Sequence, residues 1–166
     1  DKEGLQQMEK VLAKHLKSLH ESIQITKEDK ILIVGLGNKT ITPDAVGPFA
    51  IDAMQQHFEE ERNEQFAMYA PGVTGQSGLE TKEFVEALVN KINPALVIVI
   101  DALATRSSAR LCRTIQLTDT GIHPGSGVGN ARTEVSKETL GVPVTAIGIP
   151  TVVEATVLLA DAIDTV

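Results

Sequence analysis

Apolar residues recur at helical spacing at the start of the chain. The positions that share this spacing are Leu5, Met8, Leu12, Leu16 and Leu19. Residues three or four apart lie on one face of a helix, so the pattern predicts an amphipathic helix of about five turns. His15 and His20 lie on or beside this helix, and we expect both at the protein surface.

Continuous apolar runs further along the chain predict buried strands. Residues 30–37, 95–103 and 144–150 are almost wholly apolar, as is typical of parallel strands covered on both faces. Residues 66–70 form a shorter strand that ends at a Pro-Gly pair. Residues 111–117 alternate between apolar and polar positions, which indicates a strand nearer the edge of the sheet.

Between these strands the sequence predicts helices. Thr42 is expected to cap a helix that has Pro43 as its first residue and continues to about Phe58. Its inward residues would be Val46, Phe49, Ala50, Ala53 and Met54. A further helix starts near Thr81, ends at Pro94 and presents Phe84, Val85, Leu88, Val89 and Ile92. Residues 133–140 could form a short helix, and residues 151–163 close the chain with another.

The alternation of strands and helices determines the fold class. We expect an α/β fold in which a mostly parallel sheet carries helices on both faces. The length of 166 residues indicates a single domain over residues 1–166. In such folds, ligands bind where loops leave the carboxyl ends of strands. That rule selects three segments, residues 35–44, 101–106 and 117–130.

Composition and charge exclude several classes of function. The net charge is −7 without a basic stripe, so a nucleic-acid partner is not expected. Apolar runs are strand-sized and no signal peptide is visible, so we expect no membrane partner and a cytoplasmic location. Cys112 is the sole cysteine, which suits a reducing compartment, and it is expected to be buried in a strand.

Residues 117–130 contain two motifs with well-known meanings elsewhere. Asp119, Thr120 and Gly121 form the triplet of pepsin-like proteases, but those are all-β proteins that need a second copy of the triplet. Asp119 is therefore interpreted as a turn residue. The glycines at 125, 127 and 129 resemble a phosphate-binding loop, but a lysine at the required spacing is missing. Neither a pepsin-like site nor a nucleotide site is favoured.

Asp44 and Asp101 form the more promising set of chemical groups. Each follows an apolar strand, so a parallel sheet would bring both to one rim. Two close carboxylates share one proton, and such a pair can activate water and protonate a leaving amine. Alternatively, Asp44 complements a helix dipole and Asp101 caps a turn. Asn38 could orient a carbonyl or a carboxylate, or serve as a turn residue.

His123 opens a second interpretation of the same acids. Two carboxylates with one imidazole are a plausible ligand set for a divalent transition metal. His123 could equally be a loop histidine bonded to backbone.

Several motifs, in this order, resemble the germination protease of spore-forming bacteria. They are VGLGN, TPDAVGP, PGVTGQSGLET, VIDALATRS, TDTGIHPGSGVGNAR and SKETLGVPVTAIGIPTVVEA, which together extend from about Ile31 to the end of the chain. The resemblance implies an endopeptidase that starts the degradation of small acid-soluble spore proteins in the spore core during germination. It implies an atypical aspartic-type protease without a cofactor or metal, in which Asp44 and Asp101 are the catalytic acids. It also implies a zymogen, a homotetramer, and a fold similar to that of hydrogenase maturation endopeptidases.

The resemblance leaves two alternatives. Members of that family are longer at both ends, so this chain is expected to be a core fragment, which could be catalytically silent. The hydrogenase maturation enzymes bind nickel, and Asp44, Asp101 and His123 could mimic their ligands. On the favoured interpretation, residues 117–130 form a rim loop whose glycines let a peptide approach, with His123 bonded to one carboxylate.

Overall fold

The computed structural model of the chain describes residues 2–59, 64–73, 80–124 and 133–164. The strands are β1 (Ile31–Gly35), β2 (Phe66–Tyr69), β3 (Leu96–Thr105), β4 (Gln116–Thr118) and β5 (Val144–Val153). The helices are α1 (Lys2–His20), α2 (Val46–Glu59), α3 (Thr81–Ile92), α4 (Lys137–Leu140) and α5 (Ala155–Ile163). The described residues also contain two 3₁₀ turns, Thr42–Asp44 and Ser108–Arg110. Within the part of the chain that the structure describes, no helix is both long and apolar enough to cross a membrane.

Five strands form one sheet in the order β2-β1-β3-β5-β4. The pairs β1–β2, β1–β3 and β3–β5 are parallel, whereas β4 is antiparallel to β5 at one edge. The prediction of a mostly parallel α/β sheet is confirmed, and so is the edge position of the strand in residues 111–117. That strand covers only Gln116–Thr118.

Apolar side chains cover both faces of the sheet. On one face, Val85 and Val89 of α3 pack against alternate residues of the central strands, which are Leu32, Val34, Val97 and Val99. On the other face, Ile51 of α2 packs against Ile33 and Ile100. Because successive strand residues point to opposite faces, the continuous apolar runs supply both cores at once. Helices on both faces were predicted, and the structure confirms them.

The helix after β1 begins later than predicted and presents a different face. Thr42 and Pro43 belong to a separate 3₁₀ turn, and α2 starts at Val46. Phe49 is exposed, and Ala53 is too, although both were predicted to face inward. Ile51 fills that role, since it lies one turn beyond Gly47, whose backbone packs directly on the sheet. Phe49, two positions after Gly47 in the helix, points away from the sheet because a helix turns by about 100° per residue.

The prediction that Cys112 is buried in a strand is wrong. Cys112 is exposed and adopts a left-handed backbone conformation, with φ of 54°. The 3₁₀ turn Ser108–Arg110 continues into a further turn, so the strand does not start until Gln116. The amide of Cys112 donates to the carbonyl of Pro150 over 2.7 Å, which ties this turn to β5.

His20 was predicted to lie at the surface, and the structure corrects this prediction. It is partly buried, with Nε2 2.9 Å from the hydroxyl of Thr145, a residue of β5 that is 1% exposed. None of the residues of α1 is buried, and Leu5, Met8 and Val11 are exposed. The contact between His20 and Thr145 is therefore a specific link between α1 and the sheet.

This contact predicts a pH dependence of stability. Burial lowers the pKa of His20 below its ordinary value of 6.5, because the charged form is desolvated. At pH values between the folded-state pKa of His20 and 6.5, the unfolded chain binds more protons than the folded chain. The free energy of unfolding is therefore highest above this pH range and falls as the pH drops through it. In urea unfolding between pH 5 and pH 7.5, we expect His20→Gln to show a shallower loss at low pH than the unaltered chain. His15→Gln is the matched control, and an equal effect of both substitutions would contradict the assignment.

Candidate functional site

The segment between β1 and α2 holds the Asp44 carboxylate through its backbone. The amide of Asn38 donates to Asp44 Oδ2 over 2.7 Å. Gly37 has φ of 119°, and a methyl group on it would lie 2.0 Å from the carbonyl oxygen of Asp44. A glycine is therefore required there, both for its backbone conformation and for the close approach. The result is a carboxylate fixed against the chain that leaves β1.

The side chain of Asn38 stabilises this turn and does not contact Asp44 in any bond that the structure describes. Its Oδ1 accepts from the amide of Thr40 over 3.0 Å and from the Thr40 hydroxyl over 2.7 Å. Such a bond from an asparagine to the amide two residues on is typical of an Asx turn. The side chain of Asn38 therefore forms the turn, and its backbone amide, not its side-chain amide, contacts Asp44.

Asp101 lies within β3. The sequence had suggested instead that it lies at the end of this strand. The strand continues to Thr105, and Asp101 pairs in register with Gly148 of β5. On the other side, β1 ends at Gly35, which pairs with Ile100. Asp101 is therefore the first residue of β3 beyond the end of β1, and it is 4% exposed. Its Oδ1 accepts from the amide of Ala102 over 2.8 Å.

The Leu36–Gly37 backbone contacts both Asp44 and Ile100, the residue before Asp101. Leu36 donates its amide to the carbonyl of Ile100 over 2.8 Å, next to Asp101. The adjacent Gly37 contacts Asp44, and a methyl group on it would lie 3.2 Å from the carboxyl carbon of Asp44. The turn Thr42–Asp44 also packs against β3 and β5. Asp44 and Asp101 thus flank one short segment.

This place is the switch point of the sheet. From β1 the chain crosses to β2 on one side, whereas β3 lies on the other side. Ligands in open α/β sheets bind at such crevices, outside the carboxyl ends of the strands. The structure therefore places Asp44 and Asp101 at the rim that this rule selects.

Residues 117–130 do not leave the sheet at this rim. Because β4 is antiparallel, Thr118 pairs with Ala146, two residues toward the amino end of β5 from Gly148, the partner of Asp101. The expectation that the chain leaves β4 at the rim beside the two acids is therefore wrong, because that exit requires β4 to run parallel to its neighbours. Asp119 is exposed in a bend, as a turn residue should be. The three glycines at 125, 127 and 129 lie outside the described residues.

His123 follows Ile122, which is bridged to Val135, and its side chain is exposed. Among residues 2–59, 64–73, 80–124 and 133–164, no group of three or more His, Cys, Asp and Glu could hold a metal ion. Asp44, Asp101 and His123 all lie in these ranges, so the structure does not bring them together as a ligand set.

A groove of about 340 Å³ adjoins the Asp44 turn. Its walls are the segment after β1, the start of α2 and the segment after β2, and the residues are Gly37, Asn38, Lys39, Thr40, Pro48, Asp52, Ala70, Pro71 and Gly72. Lys39 forms an ion pair with Asp52, and its Nζ lies 5.8 Å from the centre of the Phe49 ring. The groove is therefore lined by both polar and apolar residues, and it includes a charged pair.

Two residues that shape this rim were not identified from the sequence. A methyl group on Gly47 would lie 2.2 Å from the carbonyl oxygen of Leu36 and 2.7 Å from that of Ile100. Thr151 donates its hydroxyl to the carbonyl of Pro43, which ties β5 to the Asp44 turn. A glycine beside Pro48 in a helical pattern was the available signal for the first. Nothing in the sequence pattern indicated the second.

The chain is similar to several known proteins. A solved hydrogenase 3 maturation protease is 13% identical, with a TM-score of 0.44 over 84% of this chain and 88% of that one. Germination proteases of Bacillus cereus (strain G9842) and Oceanobacillus iheyensis are each 47% identical over 173 residues. These alignments cover 99% of this chain and 47% of each relative, so the chain spans about half the length of these curated relatives.

The aligned stretch of 173 positions is longer than the chain of 166 residues, so these relatives contain extra residues within it. The family model for germination protease matches residues 1–166, which is the whole chain. A match of this extent, together with 47% identity, establishes the relationship. The chain therefore belongs to the germination protease family.

Proposed function

We propose that this chain carries the catalytic core of an endopeptidase that starts the degradation of small acid-soluble spore proteins in the spore core. The observation that carries the proposal is the position of Asp44 and Asp101 on either side of the Leu36–Gly37 backbone at the switch point. Family membership supports peptide-bond hydrolysis as the reaction. Asp44 follows the central strand β1 and Asp101 lies within the central strand β3, and such positions suit residues that must hold a fixed geometry.

Two carboxyl groups that share one proton can hydrolyse a peptide bond. The ionised carboxylate takes a proton from water, and the water oxygen attacks the carbonyl carbon of the substrate. The protonated carboxyl then gives its proton to the amide nitrogen, and the carbon–nitrogen bond breaks. One proton is taken up and one is released, so the pair returns to its singly protonated state.

The direct test is the incubation of this chain with a purified small acid-soluble spore protein, followed by mass spectrometry of the products. We expect cleavage at a small number of defined bonds, because the site lies in a folded rim and admits one extended segment at a time. An intact substrate after prolonged incubation, with the chain shown to be folded by circular dichroism, would contradict the proposal for this chain.

Removal of metal ions provides a further prediction. Since Asp44, Asp101 and His123 do not form a metal-ligating group in the structure, we expect cleavage to continue at an unchanged rate in excess EDTA. The rate before and after dialysis against EDTA would be compared, with readdition of Ni²⁺ as the control. Loss of cleavage in EDTA and its recovery with Ni²⁺ would instead favour chemistry of the nickel-dependent maturation type.

We further propose that the protein is a homo-oligomer, a tetramer formed from an N-terminally trimmed zymogen. Exposed apolar residues on α1 and α5 support this proposal, because they could pack against other subunits. These residues are Leu5, Met8, Val11, Leu158, Leu159 and Ile163.

A further inference from the structure

The groove beside Asp44 lies next to the two acids along the rim of the sheet. Asn38 lines the groove and also donates its backbone amide to Asp44. Ala70 and Gly72 line it from the far side, directly after β2. In the strand order β2-β1-β3-β5, the groove therefore lies over β2 and β1, and the acids lie over β1 and β3.

This arrangement sets the distance between the groove and the reacting bond. Adjacent strands are about 4.8 Å apart, so one to two strand spacings separate the groove from the acids by roughly 5–10 Å. An extended peptide advances about 3.3 Å per residue. A substrate lying across the rim would then place in the groove a side chain about two or three residues from the bond that is cleaved.

The charges at the groove compensate each other. Lys39 and Asp52 form an ion pair, with side chains 54% and 40% exposed. The neighbouring wall residues Pro48 and Pro71 are uncharged. A charged substrate side chain that enters the groove would find the group of opposite charge already paired within the Lys39–Asp52 ion pair. The substrate side chain would lose hydration without gaining a partner of its own.

Building on the proposed function, we propose that this groove is a substrate side-chain subsite that selects an uncharged side chain, and that Lys39 and Asp52 determine the selection. Removing one partner leaves the other unpaired at the groove. Lys39→Met therefore creates a preference for a basic side chain, and Asp52→Asn creates a preference for an acidic one. Neither side chain is buried, so neither substitution disturbs the core.

The test measures binding without turnover. Blocked alanine hexapeptides that carry Gln, Glu or Lys at one central position are titrated into the unaltered chain, Lys39→Met and Asp52→Asn. The amide signals of Gly37 and Gly72, on opposite walls of the groove, are followed by NMR. The unaltered chain should bind the Gln peptide best. Lys39→Met should favour the Lys peptide and Asp52→Asn the Glu peptide by about two- to fivefold, as exposed ion pairs allow.

The opposite direction of the two changes distinguishes a specificity role from a structural one. An identical rank order of peptides in all three proteins, or unchanged Gly37 and Gly72 signals at saturating peptide, would overturn the subsite. Cleavage of a small acid-soluble spore protein, assayed separately, tests the proposed function. If the chain cleaves the spore protein but all three proteins rank the peptides identically, only the subsite is contradicted. If peptide binding depends on charge as predicted but no cleavage occurs, the subsite is supported and the proposed function is contradicted.

Discussion

Replacement of Asp101 by asparagine is expected to lower kcat/KM for peptide cleavage by about 10²–10⁴-fold, the range that a general acid or base contributes. Asp44→Asn should cause a loss of the same order, since each acid supplies one of the two proton transfers. The loss should appear in kcat, because proton transfer occurs in the transition state and not in substrate binding. Initial rates over a range of substrate concentrations separate the two parameters.

Asp119→Asn is the matched control for these two substitutions. Asp119 is an exposed carboxylate in a bend beyond the antiparallel strand β4, and it belongs to the triplet that resembles a pepsin-like motif. We expect its replacement to leave kcat unchanged. If Asp119→Asn abolished cleavage while Asp44→Asn and Asp101→Asn retained it, the acids assigned here would be the wrong ones.

Gly47→Ala is expected to have a large effect on stability. Its new methyl group would lie 2.2 Å from the carbonyl oxygen of Leu36 and 2.7 Å from that of Ile100, and backbone atoms cannot move aside as a flexible side chain can. Forcing extra volume into a packed site costs about 1–3 kcal/mol, and the rigid neighbours place this substitution at the upper end. The free energy of unfolding in guanidinium chloride would measure it.

Gly4→Ala is the appropriate comparison, because no atom lies within 4 Å of the position that its methyl group would take in α1. Alanine in a helix interior is favoured over glycine by roughly 0.5–1 kcal/mol, so this change should stabilise the protein or leave it unchanged. Equal unfolding free energies for Gly47→Ala and the unaltered chain would show that α2 does not approach the sheet as closely as the structure has it.

The central architecture was accessible from the sequence because its signals are strong and local. The continuous apolar runs of β1, β3 and β5 specify strands that are buried on both faces, and the helical spacing of Val85 and Val89 specifies α3. The face of α2 was not accessible. It depends on the backbone contact between Gly47 and the sheet, which turns Ile51 inward and leaves Phe49 exposed. Hydrophobicity alone would place the larger Phe49 in the core.

The site was accessible only in part. The location of Asp44 and Asp101 near one rim follows from two strands that run in parallel, and in the structure the Leu36–Gly37 backbone contacts Asp44 and the residue before Asp101. The segment after β4 was misplaced, because the direction of a short edge strand is set by tertiary pairing and not by its own residues. The contact between Asn38 and Asp44 is made by a backbone amide, so the type of the residue at position 38 does not predict it.

The most direct test of the account is a double-mutant cycle on the two acids. Residues that act as a unit in catalysis show strongly non-additive losses, since removal of one already disables the mechanism. We predict that the chain carrying both Asp44→Asn and Asp101→Asn cleaves no more than a few-fold more slowly than either single variant. Losses that multiply, so that the double variant falls by the product of the two single effects, would show that the acids act independently and contradict the shared site.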